Sequence, residues 1–324
     1  MVLLEVKNLK TYFFTYRGVV KAVDNVSFEL RKGEVLGLVG ESGCGKSTTA
    51  YSIIKLVPPP GKIVDGHILL HGGENGAIDI VKLKEGEVRR KIRWKRISMI
   101  FQGAMNALNP VYTVGRQIVE AITEHSDMSR EEALERAKEL LELVGLEPDM
   151  VKRYPHELSG GQKQRVFIAM ALALNPDIVI CDEPTTALDV VVQAQILNLL
   201  KKLQKELKMS MIFITHDLSV ISAIADTVAV MYAGKIVERG PLKKVFSKPY
   251  HPYTQGLLKS VPKIKNPEEI IWIPGLPPDL INPPKGCRFH PRCQKAMDIC
   301  KEKEPEMIPI EKDRYVACWL YEKG

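Results

Sequence analysis

GESGCGKST, Gly40 to Thr48, comes directly after the apolar run EVLGLV and directly before a stretch of helical character. Strand, loop and helix in that order are the context in which G-x-x-x-x-G-K-[ST] grips phosphate, and the motif is matched in full. Gly40, Gly43 and Gly45 let the backbone fold into a concave loop whose N–H groups point inward, and the following helix adds the positive end of its dipole. The guest expected in such a loop is a polyphosphate. Lys46 reaches the β- and γ-phosphates as a point charge and the Ser47 hydroxyl ligates Mg²⁺, with Ser42, Cys44 and Thr48 completing the nucleotide contacts. A glycine-rich turn without a ligand would require neither the strand nor the helix.

At 324 residues the chain exceeds the usual single core, so one large domain with a smaller appendage is expected. Hydrophobic residues make up 45% and charged residues 26%, the composition of a globular protein. No apolar stretch approaches the roughly 18 to 20 residues needed to cross a bilayer. The start, MVLLEVKNLK, carries charges early and lacks both an apolar h-region and a cleavage site, which points to the cytosol. The formal charge of +7 is uneven, since residues 241–324 hold 15 Lys and Arg against 10 Asp and Glu. No dense basic stripe with interleaved aromatics accompanies that excess, so nucleic acid is not an expected partner.

Outward from the loop, LEVKNL and VDNVSFEL alternate apolar and polar side chains and read as antiparallel strands. The helix beginning at Lys46 is expected to run to about Leu56, where Pro58 to Pro60 stop it. RISMIFQ, Arg96 to Gln102, reads as a core strand ending on an amide. A helical insert of about residues 103–165 follows. Within it SREEALERAKELLELVGL, Ser129 to Leu146, has helical apolar spacing and a capping box of Ser129 with Glu132. Helix from about Gly161 to Leu174, strand DIVICD, helix Val190 to Leu207, strand MSMIFIT and a helix from about Leu218 then alternate, which implies a parallel sheet wrapped by helices. TVAVMYA and KIVERG close a first domain of residues 1–240. Prolines crowd the remainder, residues 241–324, so this extension should be loop-rich and in need of a staple.

Ile178 to Ile180 run through Cys181 into Asp182 and Glu183, putting two carboxylates at the carboxyl end of a buried strand, where open α/β sheets bind ligands. Asp182 is placed to hold Mg²⁺ through water and Glu183 to polarise the water that attacks the γ-phosphate. LSGGQKQR, Leu158 to Arg165, sets Ser159 and two glycines at a helix start and makes a second anion-binding nest. Two nests call for two nucleotides or two chains.

With the phosphate loop, the DE pair, PTTALD and LSGGQ in one chain, residues 1 to about 240 resemble the nucleotide-binding subunit of an ABC transporter. The resemblance implies an α/β fold, a P-loop NTPase cassette with a RecA-like parallel core, an antiparallel β subdomain and a helical subdomain. It implies that two such chains, identical or sister ATPases, face head to tail, with Ser159, Gly160, Gly161 and Gln162 of one closing over ATP on the other. Gln102 matches the family's Q-loop, which joins the helical insert to the γ-phosphate, the Mg²⁺ and the membrane partner. Asp189, in TALD, matches the loop that crosses the dimer seam. His216, in FITHD, matches the histidine that senses the γ-phosphate, its alternative being a strand cap. For the adenine, KTYFFTY offers Tyr12, Phe13, Phe14 and Tyr16, and Phe13 fits the family spacing.

Six cysteines divide in two groups. Cys44 and Cys181 lie within nucleotide motifs as small core thiols. Cys287, Cys293, Cys300 and Cys318 form C-x5-C-x6-C-x17-C, where a cytosolic setting disfavours disulfides and a metal centre is the simplest staple. Paired C-x2-C knuckles and ferredoxin spacings are both missing, so spacing alone leaves the metal open. HPYTQGLLKSVP, GLPPDL and GCRFHPRC resemble the tail of dipeptide and oligopeptide importer ATPases, some of which carry a [4Fe–4S] cluster. That implies a cluster on these four cysteines, with zinc the alternative, and Arg288 and Arg292 offsetting its charge. It also implies a peripheral subunit on the cytoplasmic membrane face, two transmembrane permease partners and, indirectly, an extracytoplasmic substrate-binding protein. Oligosaccharide or nickel import and a cluster-gated redox-sensing ATPase are the rival readings.

Overall fold

Alternating side chains build the first elements. In the computed structural model, which describes residues 1–73, 76–103, 107–260 and 273–322, β1 (Val2–Thr15) and β2 (Gly18–Arg31) pair as an antiparallel hairpin. Leu4, Val6, Val26, Phe28 and Leu30 are buried, while Lys7 and Ser27 between them are exposed. The chain continues through β3 (Val35–Val39), α1 (Lys46–Ile53), β4 (Gly61–Gly73), β5 (Gly76–Asp79), α2 (Glu85–Lys91), β6 (Ile97–Ile100), α3 (Val114–Thr123) and α4 (Arg130–Leu143). After these come α5 (Gly160–Ala171), β7 (Ile178–Asp182), α6 (Val190–Leu207), β8 (Ser210–Ile214), α7 (Leu218–Ile224), β9 (Thr227–Tyr232) and β10 (Lys235–Pro241). The extension contributes α8 (Leu242–Ser247), α9 (Pro252–Lys259), α10 (Asp298–Glu302), β11 (Ile308–Glu311) and β12 (Arg314–Val316). Two compact units result, Met1–Lys82 with Phe213–Gly324, and Leu83–Ile212.

In the first unit β2-β1-β4-β5 form an antiparallel sheet, and β11-β12-β10-β9-β3 lie in a second. All five residues of β3, VLGLV, are buried, as a strand covered on both faces requires, and β3 runs parallel to β9 with Val39 opposite Val230. β9 and β10 are antiparallel, and β12 adds to β10 with Glu238 opposite Val316. The extension is thus loop-rich yet joined to the sheet by a hairpin. α1 ends at Ile53, before the expected Leu56: Lys55 turns left-handed at φ +50° and the Leu56 N–H returns to the Tyr51 carbonyl at 2.8 Å, closing the helix ahead of the prolines.

In the second unit β6 and β7 run parallel, Ile97 opposite Ile178 and Ile100 opposite Cys181. The helical insert is capped as its sequence reads. Glu132 N–H donates to Ser129 Oγ at 3.2 Å and Ser129 N–H to Glu132 Oε2 at 2.8 Å. Ala133, Ala137, Leu140 and Leu141 form the buried stripe of α4. Among the described residues no helix is long and apolar enough to cross a membrane.

Candidate active site

The phosphate loop lies in the first unit, pressed by backbone on two sides. Gly40 has φ +151° and a Cβ there would stand 2.1 Å from the Met231 carbonyl oxygen; at Gly45, with φ +104°, it would stand 2.1 Å from that of Ala22. No other residue fits either place. Lys46 is 6% exposed, and its Nζ donates to the Gly40 and Glu41 carbonyls at 2.8 and 2.9 Å, so the ammonium is held at the loop by the loop's own backbone. Ser47 and Thr48 are half-buried on the first turn of α1, while Ser42 and Gly43 are exposed. Burial raises the Cys44 thiol above its ordinary range and pushes Cys181 up to about 12, consistent with unreactive core thiols.

Phe13 sits half-buried in β1 opposite Gly61, where any Cβ would stand 2.7 Å from its ring. Tyr12 donates its hydroxyl to Asp24 Oδ1 at 2.8 Å, whereas Phe14 and Tyr16 are exposed. His216 follows β8 on the surface, just before Asp217, which accepts the Ser219 N–H at 2.8 Å and caps α7.

The second unit gathers the other motifs. Asp182 ends β7 at 1% exposure. Glu183 adopts φ +47°, a left-handed backbone rare outside glycine, and its Oε2 accepts Gln102 Nε2 at 2.9 Å and Thr186 Oγ1 at 3.0 Å. Gln102 and Glu183 are therefore brought together, a bond between residues 81 apart that no local pattern announces. Ser159 caps α5 reciprocally with Gln162, the Gln162 N–H donating to Ser159 Oγ at 3.3 Å and the Ser159 N–H to Gln162 Oε1 at 2.9 Å. S-x-x-Q was the signal for that box, beyond the nest reading of the same residues. Gly160 opens the helix. Gly161 faces Val192, whose Cγ1 would stand 2.8 Å from a Cβ there. Asp189 caps α6 by accepting the Val191 and Val192 N–H groups at 3.0 and 2.9 Å, so the LSGGQ and TALD segments meet at the start of α6.

In the extension, Cys287, Cys293, Cys300 and Cys318 line one cavity of about 10 Å³ together with His251, Phe289 and Trp319. The Cys287 N–H donates to the Cys300 carbonyl at 2.9 Å. Burial pushes the Cys287 thiol up to about 12 and that of Cys318 up to about 11. Among the described residues, no three His, Cys, Asp or Glu side chains are grouped closely enough to hold a metal ion. Val261 and Pro262, which end HPYTQGLLKSVP, lie outside the described residues.

Residues 23–186 match the family model of ABC transporters, and residues 237–300 match that of the oligopeptide/dipeptide transporter C-terminal region. The chain is 53% identical to the oligopeptide transport ATP-binding protein OppD of Bacillus subtilis, over 98% of its own length and 88% of that protein's. The chain is an ABC transporter ATP-binding subunit of the oligopeptide/dipeptide type. The dipeptide transport ATP-binding protein DppD of the same organism is 50% identical over 99% of this chain and 95% of its own. Among solved structures, the dimeric, post-hydrolysis ATP-binding cassette MJ0796 bound to ADP and Pi superimposes with a TM-score of 0.64 at 33% identity, covering 74% of this chain and 99% of that one. This ABC cassette is an ATPase, using ATP with Mg²⁺.

Proposed function

We propose that this subunit hydrolyses ATP at the cytoplasmic membrane face to drive dipeptide or oligopeptide import through two transmembrane permease subunits fed by an extracytoplasmic binding protein. Residues 1–240 are the ATPase and residues 241–324 its extension. Two chains, identical or sister, close head to tail, with Ser159, Gly160, Gly161 and Gln162 of one covering the triphosphate of the other and Asp189 at the seam. Lys46 and the Gly40–Thr48 backbone would hold the phosphates, Phe13 would stack on adenine, and Ser47, Asp182 and Gln102 are the residues that would hold Mg²⁺. Glu183 polarises the attacking water and His216 contacts the γ-phosphate.

The observation that supports this most is the 2.9 Å bond from Gln102 to Glu183, because it ties the residue entering the helical insert to the carboxylate given the chemistry. Movement of the insert then reorients the base, and binding at the membrane gates hydrolysis. Glu183→Gln is the test: ATP binding persists and turnover is lost, whereas normal hydrolysis in that variant places activation of water elsewhere.

The four extension cysteines are soft donors that would have to draw closer together to hold a [4Fe–4S] cluster, with zinc the other soft-ligand choice, and either would act as a structural staple. Support comes from four thiols lining one cavity. Protein purified without oxygen is expected to be brown; colourless protein with stoichiometric zinc replaces the cluster by zinc.

A further inference from the structure

Two residues of the extension hold the phosphate loop from behind. Arg292, 8% exposed, pairs with the Glu41 carboxylate at both ends of its fork, Nη1 to Oε2 at 2.8 Å and Nη2 to Oε1 at 3.0 Å. Its Nε donates to the Pro274 carbonyl at 2.8 Å and the guanidinium lies over the Tyr232 ring, so the fork has a fixed plane. Tyr253 is fully buried, and its hydroxyl accepts the Glu41 N–H at 2.9 Å. Its ring is wedged against Tyr232 and Phe289 at centroid distances of 4.6 and 5.4 Å, which holds the hydroxyl in place.

The peptide unit between Gly40 and Glu41 is thereby oriented from both ends: its N–H goes to Tyr253 and its carbonyl accepts Lys46 Nζ at 2.8 Å. Turning that peptide would carry the Gly40 carbonyl away from the ammonium. We propose that Tyr253 and Arg292 are positioning residues of the nucleotide site, fixing Glu41 and, through the Gly40–Glu41 peptide, setting Lys46 before triphosphate arrives. The proposal rests on Gly40–Thr48 being the nucleotide loop and adds the extension to that site. The extension is then a working part of the ATPase and not only an appendage to it.

The test uses the full chain, with Mg-ATP affinity by titration calorimetry and kcat and KM for hydrolysis. Tyr253→Phe and Arg292→Ala are expected to weaken Mg-ATP binding and raise KM about tenfold while kcat falls less than about threefold. Arg292→Lys recovers part of the loss, because a point charge cannot bond both carboxylate oxygens. Glu41→Gln combined with Arg292→Ala is expected to be no worse than the more severe single variant, since both act through one contact. Tyr253→Phe removes a single oxygen from a packed ring and keeps the test open should Arg292→Ala loosen the extension. Wild-type affinity and KM in Tyr253→Phe and Arg292→Ala, or additive losses in the double variant, overturn the proposal. If the unaltered chain binds no Mg-ATP, it is the nucleotide-loop reading that fails.

Discussion

Glu183 occupies a backbone conformation that costs a non-glycine residue on the order of 1 kcal/mol, and it does so next to the buried Asp182. Strain of that kind persists where surrounding contacts hold it, here the bonds from Gln102 and Thr186. Glu183→Gly is accordingly expected to abolish hydrolysis while changing stability by less than about 1 kcal/mol in urea denaturation, because relief of the left-handed strain is offset by loss of the Gln102 and Thr186 bonds and by the greater freedom of unfolded glycine; a destabilisation above about 2 kcal/mol would show that the side-chain bonds outweigh the strain. Glu183→Gln is expected to lower kcat by at least about 100-fold with ATP affinity nearly unchanged, and Lys46→Ala to weaken ATP binding itself. Calorimetry beside a phosphate-release assay separates the two. The placement of Lys46 and Ser47 at the start of α1 and of Asp182 at the end of β7 was legible in the sequence because these residues lie in contiguous motifs. The Gln102–Glu183 bond and the grip of Arg292 on Glu41 were not, since they join residues 81 and 251 positions apart.

At the scale of elements, α6 was read with its observed limits, Val190 to Leu207, because Asp189 caps a clean helical period. The β11–β12 hairpin went unread: strands of four and three residues, one of them holding Pro309, are too short to show a period. Yet that hairpin fastens the extension. Glu238 on β10 is 0% exposed, pairs with Arg314 of β12 at 3.1 Å and accepts the Tyr250 and His251 N–H groups at 3.0 and 2.9 Å. Arg314→Met would leave that carboxylate buried without its cation and is expected to cost roughly 3–5 kcal/mol, measured by denaturation; a cost under about 1 kcal/mol would place the fastening elsewhere.

A second tie runs from β2 to the extension through Asp24, which pairs with Arg288. Burial alone would raise the Asp24 carboxyl, but Lys235, the Tyr12 hydroxyl and Arg288 together hold it below the usual carboxylate range. Its contribution is therefore complete above the unfolded value of about 4 and is lost as pH falls through the lower folded value. Protease protection of the extension is expected to hold from pH 8 to 5 and to drop below about pH 4. Asp24→Asn should reproduce the drop at pH 7; unchanged protection in that variant would show that Asp24 does not hold the extension.

For the molecule as a whole, the exposed Ser159 and Asp189 and the apolar Val190 and Val191, 81% and 68% exposed, sit at neighbouring helix starts in the second unit. The proposed shared site would set this exposed apolar pair and both helix caps against the second chain. Mass measured by sedimentation equilibrium on Glu183→Gln, with and without Mg-ATP and with Ser159→Arg added, tests the shared site most directly. Mg-ATP is expected to double the mass, and Ser159→Arg to abolish the doubling while each chain still binds ATP. A mass indifferent to Mg-ATP, or a dimer that tolerates Ser159→Arg, would contradict the shared site.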